Sequence, residues 1–410
     1  MANTKPTAQN IIILYYLLLA ILILFPFGQL TQIPFFPGPR VYLHDILVGL
    51  VWVFLLFHYQ QIKNISKNIL FFPSILFIFI ALLSLIISLL SIPGREVFVG
   101  SLYLLRWIGY LTVALATILV VKRKPEFKQK IIKTLIFTGS AASIFGLAQY
   151  IFYPDLRNLY YLGWDPHYLR IFGTFFDPNF LGLVIVLTII MTITSLNNSW
   201  LKYSLFFLNT LTLALTYSRS SFIALAGSLI SLFFYRKFNK TIVFIFIIGL
   251  VTLLFLPKGP QSEGIQLERM ASVEGRVESI NKGISLFFKS PLFGVGFNNL
   301  RSYQKIHPQD FRGDTIPENA AGGIENSFIF LLATTGIAGF TAYMILLVGM
   351  FMVGDRILKI SLIAILVHSL FNNSLFYPWV MLWIWILVGV SSKQDARPAR
   401  NATHSVAGGR

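Results

Sequence analysis

Long apolar segments separated by short polar ones fill most of the chain. A bilayer core requires about 20 consecutive apolar residues in each helix, and segments near that length recur along most of the sequence. This pattern predicts an all-α polytopic membrane protein with about twelve transmembrane helices. The predicted spans are 11–28, 42–58, 70–91, 98–121, 131–152, 178–195, 200–217, 220–235, 241–256, 337–354, 357–372 and 376–391.

One polar interval, residues 257–336, is much longer than the others and contains apolar residues at helical spacing. We therefore expect a long loop with short amphipathic helices between two groups of transmembrane helices. The predicted organisation is transmembrane helices 1–9 in residues 1–256, an extracytoplasmic loop at 257–336, transmembrane helices 10–12 in 337–392 and a basic, disordered cytoplasmic tail at 393–410.

Composition supports lipid as the main solvent. Hydrophobic residues make up 56% of the chain and charged residues 12%, against about 25% charged residues in soluble domains. The 33 Lys and Arg outnumber the 16 Asp and Glu, but they lie between apolar segments and form no stripe for nucleic acid. The chain has no cysteine, which excludes disulfides, thiolate metal sites and thiol nucleophiles.

The distribution of cations predicts the orientation, because Lys and Arg concentrate in short cytoplasmic loops. With both termini in the cytoplasm, the inner loops receive most of the lysines, including the run from Lys122 to Lys133. The first apolar segment lacks a small-residue cleavage site, so we expect a retained helix and not a signal peptide. The cations left on the outer side or within helices, apart from the long loop, are all arginine: Arg40, Arg95, Arg106, Arg157, Arg170 and Arg219.

Arginine suits bidentate contact with carboxylate or phosphate. Each of these arginines could instead pair with a nearby acid such as Asp155, Asp165 or Asp177, or extend to lipid headgroups. Arg219 lies in the short polar segment TYSRSS, residues 216–221, between two apolar spans. An ionised residue so close to the membrane is costly unless it is paired, and it favours a functional site.

Three further polar or glycine-rich segments are predicted near the outer face. In FDPNFLG, residues 176–182, Asp177 and Pro178 suit the start of a helix. Residues 275–299 predict an amphipathic helix that begins near Arg276 and ends before a Pro–Leu–Phe–Gly–Val–Gly turn. In ENSFIFLLATTGIAG, residues 325–339, Glu325 and Asn326 open a short apolar helix that breaks at Gly336.

Together with HSLFNNS, residues 368–374, these ordered segments resemble the O-antigen ligase and polymerase superfamily of bacterial membrane glycosyltransferases. The resemblance implies a twelve-helix, GT-C-like fold in the bacterial cytoplasmic membrane. It also implies an undecaprenyl-diphosphate-linked glycan as donor, an acceptor glycan, lipid or protein, and transfer without metal or other cofactor. By the same resemblance, Arg219 and Arg276 contact the donor diphosphate.

In the ligases of that superfamily, a His–Asn pair opens the short helix, and the histidine is taken as the catalytic base. Glu325 stands at the matching position here, followed by Asn326. A carboxylate can also serve as a general base, so we predict Glu325 as the base and Asn326 as the residue that orients it or the acceptor. Arg157, Arg170, His307 and His368 are additional candidates for substrate contact.

Two other classes of protein remain open on this evidence. A transporter or flippase for a lipid-linked glycan would also need outward arginines, although transporters often contain internal repeats, and none is evident here. A non-catalytic scaffold for polysaccharide assembly would need no base at position 325. The sequence offers no His-x-x-x-His pair, DxD motif or dense acid cluster for a metal on the predicted outer face.

Overall fold

The computed structural model describes residues 8–33, 40–58, 70–234, 271–307 and 323–391. Within these ranges the chain is almost entirely helical, with one short antiparallel pairing of β1, Gln32–Ile33, with β2, Val41–Tyr42. The helices are α1 Ala8–Leu24, α2 Leu43–Phe57, α3 Phe71–Ser88, α4 Gly94–Arg123, α5 Glu126–Phe152, α6 Pro178–Ser195, α7 Ser199–Thr216, α8 Arg219–Phe234, α9 Ala271–Lys289, α10 Leu300–Ile306, α11 Ser327–Val353, α12 Arg356–Ser369 and α13 Pro378–Ser391.

Among the described residues, six helical segments are long and apolar enough to cross a membrane: Gln9–Thr31, α3, α4, α5, α6 and α11. Helices α2, α8 and α13 are apolar but shorter. The predicted all-α membrane architecture is confirmed at this level, whereas the count of twelve spans stays a prediction. The predicted span 241–256, the loop residues 257–270 and 308–322, and the tail 393–410 lie outside the described residues.

Helix α11 is broken at Gly336, as its sequence predicts, where φ is 63° and ψ is −168°. The turn at residues 290–297 lies against this break and supplies backbone partners. The amide of Val295 donates to the carbonyl of Ala333 at 2.9 Å, and the amide of Ile337 donates to the carbonyl of Pro291 at 2.8 Å. Backbone groups released by a break in an apolar helix must find partners inside the protein, and this turn satisfies several of them.

Two glycines make this close contact between turn and break possible. Gly294 and Gly336 both have positive φ, a conformation that favours glycine. A Cβ at Gly336 would overlap the backbone of Leu292, and a Cβ at Gly294 would overlap the backbone of Thr334. Ser84 of α3 donates to the carbonyl of Thr334 at 2.8 Å, which fixes the break to the helix bundle.

The amphipathic helix α9 packs on the first part of α11. Gly283 and Leu286 are buried, and a Cβ at Gly283 would overlap the side chain of Ile329 in α11. Ile284 and Phe288, which helical spacing places on the predicted apolar face, are 38% and 73% exposed. Gly283 therefore gives the closest approach of α9 to α11, and contact of Ile284 and Phe288 with the membrane stays a prediction.

Two of the arginines that the sequence predicts to face outward have partners among the described residues. Arg106 of α4 donates to Asp45 Oδ2 of α2 at 3.0 Å and to the carbonyl of Arg40. Tyr110 donates to the other oxygen of Asp45 at 2.8 Å. The guanidinium of Arg40 lies 4.1 Å from the ring centroid of Trp164, so these arginines serve structural contacts.

Candidate functional site

The turn before α8 presents Arg219, the first residue of that helix. Tyr217 has a φ of 51°, in the left-handed region, and ends α7. Arg170 is 1% exposed, and it donates from Nε to the carbonyl of Thr216 at 2.9 Å and from Nη2 to the carbonyl of Tyr217 at 3.4 Å. A cation suits the unpaired carbonyls at a helix C-terminus. Arg170 thus positions the Arg219 turn, while direct contact with substrate stays a prediction.

The serines around Arg219 join this turn to the start of α6. Ser218 donates to Asn179 Oδ1 at 2.9 Å, and Ser221 donates to the Asn179 carbonyl at 3.1 Å. Asp177 accepts from the amides of Asn179 and Phe180 at 2.6 and 3.3 Å, which confirms the predicted helix cap. The TYSRSS segment, residues 216–221, is therefore hydrogen-bonded to the FDPNFLG segment, residues 176–182.

His368 connects the same turn to the end of α12. Its ring is fully buried, with Nε2 3.1 Å from Ser220 Oγ and Nδ1 2.7 Å from Ser374 Oγ. Asn372 donates to Ser220 Oγ at 3.0 Å. These contacts make His368 part of a buried polar network that fixes the residue next to Arg219, and substrate contact by His368 stays a prediction.

Asn326 caps α11 and attaches it to the loop after α12. Its Oδ1 accepts from the amide of Phe328 at 2.9 Å, and its Nδ2 donates to the carbonyl of Leu370 at 3.0 Å. Ser327 donates to the carbonyl of Asn372 at 3.2 Å. The cap of this helix is therefore Asn326, which leaves the Glu325 side chain available for another contact.

That contact is an ion pair with Arg276 of α9. Arg276 Nε lies 3.0 Å from Glu325 Oε2, and the side chains are 17% and 55% exposed. The Glu325 amide also donates to Ser279 Oγ at 3.0 Å. Helix α9 begins at Ala271, so Arg276 lies inside the helix and not at its predicted start. One turn of α9 thus contacts Glu325 through both side chain and backbone.

The charge of Arg276 also acts on the Arg219 turn. Burial lowers the pKa of the Arg219 guanidinium, and the positive charge of Arg276 lowers it further. Two cations that act on each other in this way create a positive potential around them. Contacts join α8 to α12 through Ser220 and His368 and α9 to α11 through Arg276 and Glu325. A single site that holds both Arg219 and Arg276 stays a prediction.

A second pair of charged groups lies where α6 begins. Burial, and secondly the charge of Asp165, raise the pKa of Asp177 to about 6. Burial also raises the pKa of Asp165. The charge of Arg170 opposes the shift at Asp177. Asp177 is therefore a titratable group close to the Arg219 turn.

Arg157 belongs to a different cluster, in the loop between α5 and α6. Its Nη2 lies 2.7 Å from Asp155 Oδ2, and its guanidinium lies 4.2 Å from the ring centroid of Tyr168. The hydrogen bond from Arg157 lowers the pKa of Asp155. Arg157 therefore pairs with a nearby acid, Asp155, which is one of the alternatives that the sequence left open.

His307 follows α10, which packs against α4. Its ring centroid lies 4.5 Å from that of Tyr303, and Ser302 of α10 donates to Glu96 of α4 at 2.7 Å. Contact between His307 and a substrate stays a prediction. Within the described part of the chain, no group of three or more acids and histidines is arranged to hold a metal ion, and metal independence likewise stays a prediction.

Sequence reasoning did not single out the residues that link the motifs. Asn179, Ser220 and Asn372 stand inside quoted motifs, but only the folded chain shows their mutual contacts. Ser279 precedes Glu325 by 46 positions, and no local pattern relates the two. Buried serines and asparagines in or beside apolar segments are the one signal that points to such a network.

Comparison with known proteins supports the predicted resemblance. The family model described as O-antigen ligase matches residues 204–344. The matched region contains Arg219, Arg276, Glu325 and Asn326. No curated protein matches the chain. The match confirms the resemblance drawn from the ordered motifs: residues 204–344 of this chain are similar to the O-antigen ligase family.

Proposed function

We propose that the protein transfers a glycan from an undecaprenyl-diphosphate-linked donor to an acceptor hydroxyl at the outer face of the bacterial cytoplasmic membrane. The family match supports glycan transfer in general. The observation that carries the finer proposal is the contact of Arg276 with Glu325 at 3.0 Å. The effect of the Arg276 charge on Arg219 supports a shared site for the two arginines. In this proposal, Arg219 and Arg276 bind the donor diphosphate, and the Glu325 carboxylate accepts the proton of the acceptor hydroxyl.

In the proposed reaction, the acceptor oxygen attacks the anomeric carbon of the donor sugar. The bond between that carbon and the diphosphate oxygen breaks, and the diphosphate leaves on its lipid. Arg219 and Arg276 stabilise the negative charge that develops on the departing diphosphate. Glu325 accepts the proton of the acceptor hydroxyl, as a general base. No covalent enzyme intermediate is required, because the diphosphate is already a good leaving group.

The ion pair gives this reaction an order. Before the donor binds, Arg276 contacts the Glu325 carboxylate. A diphosphate carries more negative charge than one carboxylate and competes for the guanidinium. Binding of the donor then releases the Glu325 carboxylate for the acceptor hydroxyl. Asn326 fixes the backbone at this position through its cap on α11 and its hydrogen bond to the Leu370 carbonyl.

We further propose a GT-C-like arrangement of twelve spans with both termini in the cytoplasm and the loop 257–336 outside. The partners are then the lipid-linked donor, the surrounding bilayer and an acceptor glycan, lipid or protein. Transfer uses no metal and no nucleotide sugar. The distribution of Lys and Arg between the apolar segments supports this orientation.

The test is transfer from a defined lipid-linked oligosaccharide by the full-length protein in proteoliposomes. We expect Arg219→Ala and Arg276→Ala each to lower the rate by roughly 10²–10³-fold, as for other preorganised contacts to developing charge. Lys282→Ala is the matched control, since Lys282 lies on α9 and pairs with Glu278 at 2.6 Å. A ladder of products indicates polymerisation, and a single addition indicates ligation. Arginine variants as active as Lys282→Ala would contradict the proposal.

A further inference from the structure

A large apolar groove lies between α2 and α4, apart from the site described above. Its volume is about 590 Å³, within the range of about 300–1,000 Å³ for sites that bind small molecules. Val48, Gly49 and Trp52 line it from α2, and Phe98 and Leu102 line it from α4. Phe98 is 62% exposed. Both helices coincide with predicted membrane spans, so the groove faces lipid.

The polar groups of the groove leave one positive charge uncompensated. Arg106 and Asp45 line it, but they form an ion pair at 3.0 Å and neutralise each other. Arg95, the remaining cation of the lining, is exposed in the second residue of α4. Within the ranges that the structure describes, the Arg95 side chain forms neither a hydrogen bond nor an ion pair. The groove therefore combines an apolar interior with a single available cation at its end.

The length of the groove matches one leaflet of a bilayer. Arg95 and Gly109 both line it on α4, and at about 1.5 Å per residue they are about 21 Å apart. A bilayer is about 40–45 Å thick with its headgroups, so one leaflet measures about half of that. A lipid chain in the groove would bring its headgroup to the level of Arg95.

We propose that this groove binds an anionic glycerophospholipid, with an acyl chain between α2 and α4 and its phosphodiester on Arg95. One uncompensated cation suits a headgroup with one net negative charge. A diphosphate carries more charge and suits the site with two arginines, Arg219 and Arg276. The inference goes beyond glycan transfer and does not depend on it.

Gly49 offers a way to fill the groove without disturbing the fold. It lines the groove, and a Cβ there would meet no atom within 4 Å. Glycine inside a helix is also unfavourable relative to other residues, so Gly49→Leu should fold. Val53→Leu is the control on the same helix, because Val53 is 48% exposed and does not line the groove.

The experiment is native mass spectrometry of the full-length protein in detergent, with phosphatidylglycerol and phosphatidylcholine of identical chains added at equal concentration. We expect one phosphatidylglycerol to be retained in about tenfold preference, the effect of one charge-assisted contact. Arg95→Gln should remove the preference, and Gly49→Leu should remove the bound lipid. Val53→Leu and Arg157→Gln should retain both the lipid and the preference.

Three results would overturn the proposal. Equal retention of the two lipids by the unmodified protein would indicate ordinary surrounding lipid. Retention of phosphatidylglycerol by Gly49→Leu at the unmodified level would place the lipid elsewhere. A polyprenyl diphosphate that displaces phosphatidylglycerol at equal concentration, and is itself lost in Gly49→Leu, would assign the groove to a prenyl chain. Elution volume and thermal unfolding establish that each variant is folded.

Discussion

At the scale of single residues, Arg276 contacts a carboxylate that is more exposed than itself. Arg276 is 17% exposed and Glu325 is 55% exposed. An ion pair of this kind contributes at most about 1 kcal/mol to folding, so its contribution to stability is small. The two residues are 49 positions apart. The sequence predicted a role for each, but their direct contact depends on how α9 packs against α11.

Asp177 provides a prediction about pH at this scale. Burial raises its pKa to about 6, above the ordinary value of 3.8, so between these values the folded protein binds more protons than the unfolded chain. Stability from this group therefore falls as pH rises from about 4 to 6. Asp177→Asn preserves a good helix cap and should remove this fall.

Thermal unfolding in detergent across that pH range provides the measurement. The melting temperature of Asp177→Asn minus that of the unmodified protein should increase between pH 4 and 6 and stay constant above. Groups that do not interact with Asp177 titrate equally in both proteins, so the difference reports Asp177 together with its coupling to Asp165. A difference that does not change with pH would show that Asp177 has an ordinary pKa.

At the scale of elements, the turn at 290–297 and the break in α11 support each other. The glycine pattern predicted both the turn and the break at Gly336. It could not predict their contact, because the hydrogen bonds from Val295 to Ala333 and from Ile337 to Pro291 join residues about 40 positions apart. The same limit applied to α9, where the close approach of Gly283 to Ile329 of α11 joins residues 46 positions apart.

We expect Gly336→Ala and Gly294→Ala to destabilise the protein strongly. Both positions have positive φ, which costs of order 1–3 kcal/mol for other residues, and a Cβ at either would overlap backbone atoms. Gly275→Ala is the control, since its Cβ would meet nothing within 4 Å on the exposed side of α9. The measurement is the melting temperature of each of the three variants in thermal unfolding. Equal melting temperatures would mean that turn and break do not interlock.

At the scale of the whole molecule, hydrophobic patterning predicted where the helices lie. Helices occupy all the predicted span positions except 241–256, which lies outside the described residues. The periodicity and length of the apolar segments suffice to locate these helices, since a helix that crosses a bilayer must be about as long as the bilayer is thick. The pattern of charges predicts orientation, but it does not specify which helices neighbour each other.

The absence of cysteine from the chain allows a direct test of orientation. We expect Asn158→Cys, in the loop between α5 and α6, to react with a membrane-impermeant maleimide in intact cells. Asn197→Cys, in the loop between α6 and α7, should react only after the membrane is opened. Both side chains are exposed, so access depends on the side of the membrane. Labelling of Asn197→Cys in intact cells would reverse the predicted topology.

The central claim is that Glu325, paired with Arg276, acts as the base for glycan transfer. Transfer from a lipid-linked oligosaccharide by Glu325→Gln, compared with Glu278→Gln on α9, tests it most directly. We predict a loss of roughly 10²–10⁴-fold for Glu325→Gln, the usual contribution of a general base, and a rate near that of the unmodified protein for Glu278→Gln. Transfer by Glu325→Gln at the rate of Glu278→Gln would contradict the account.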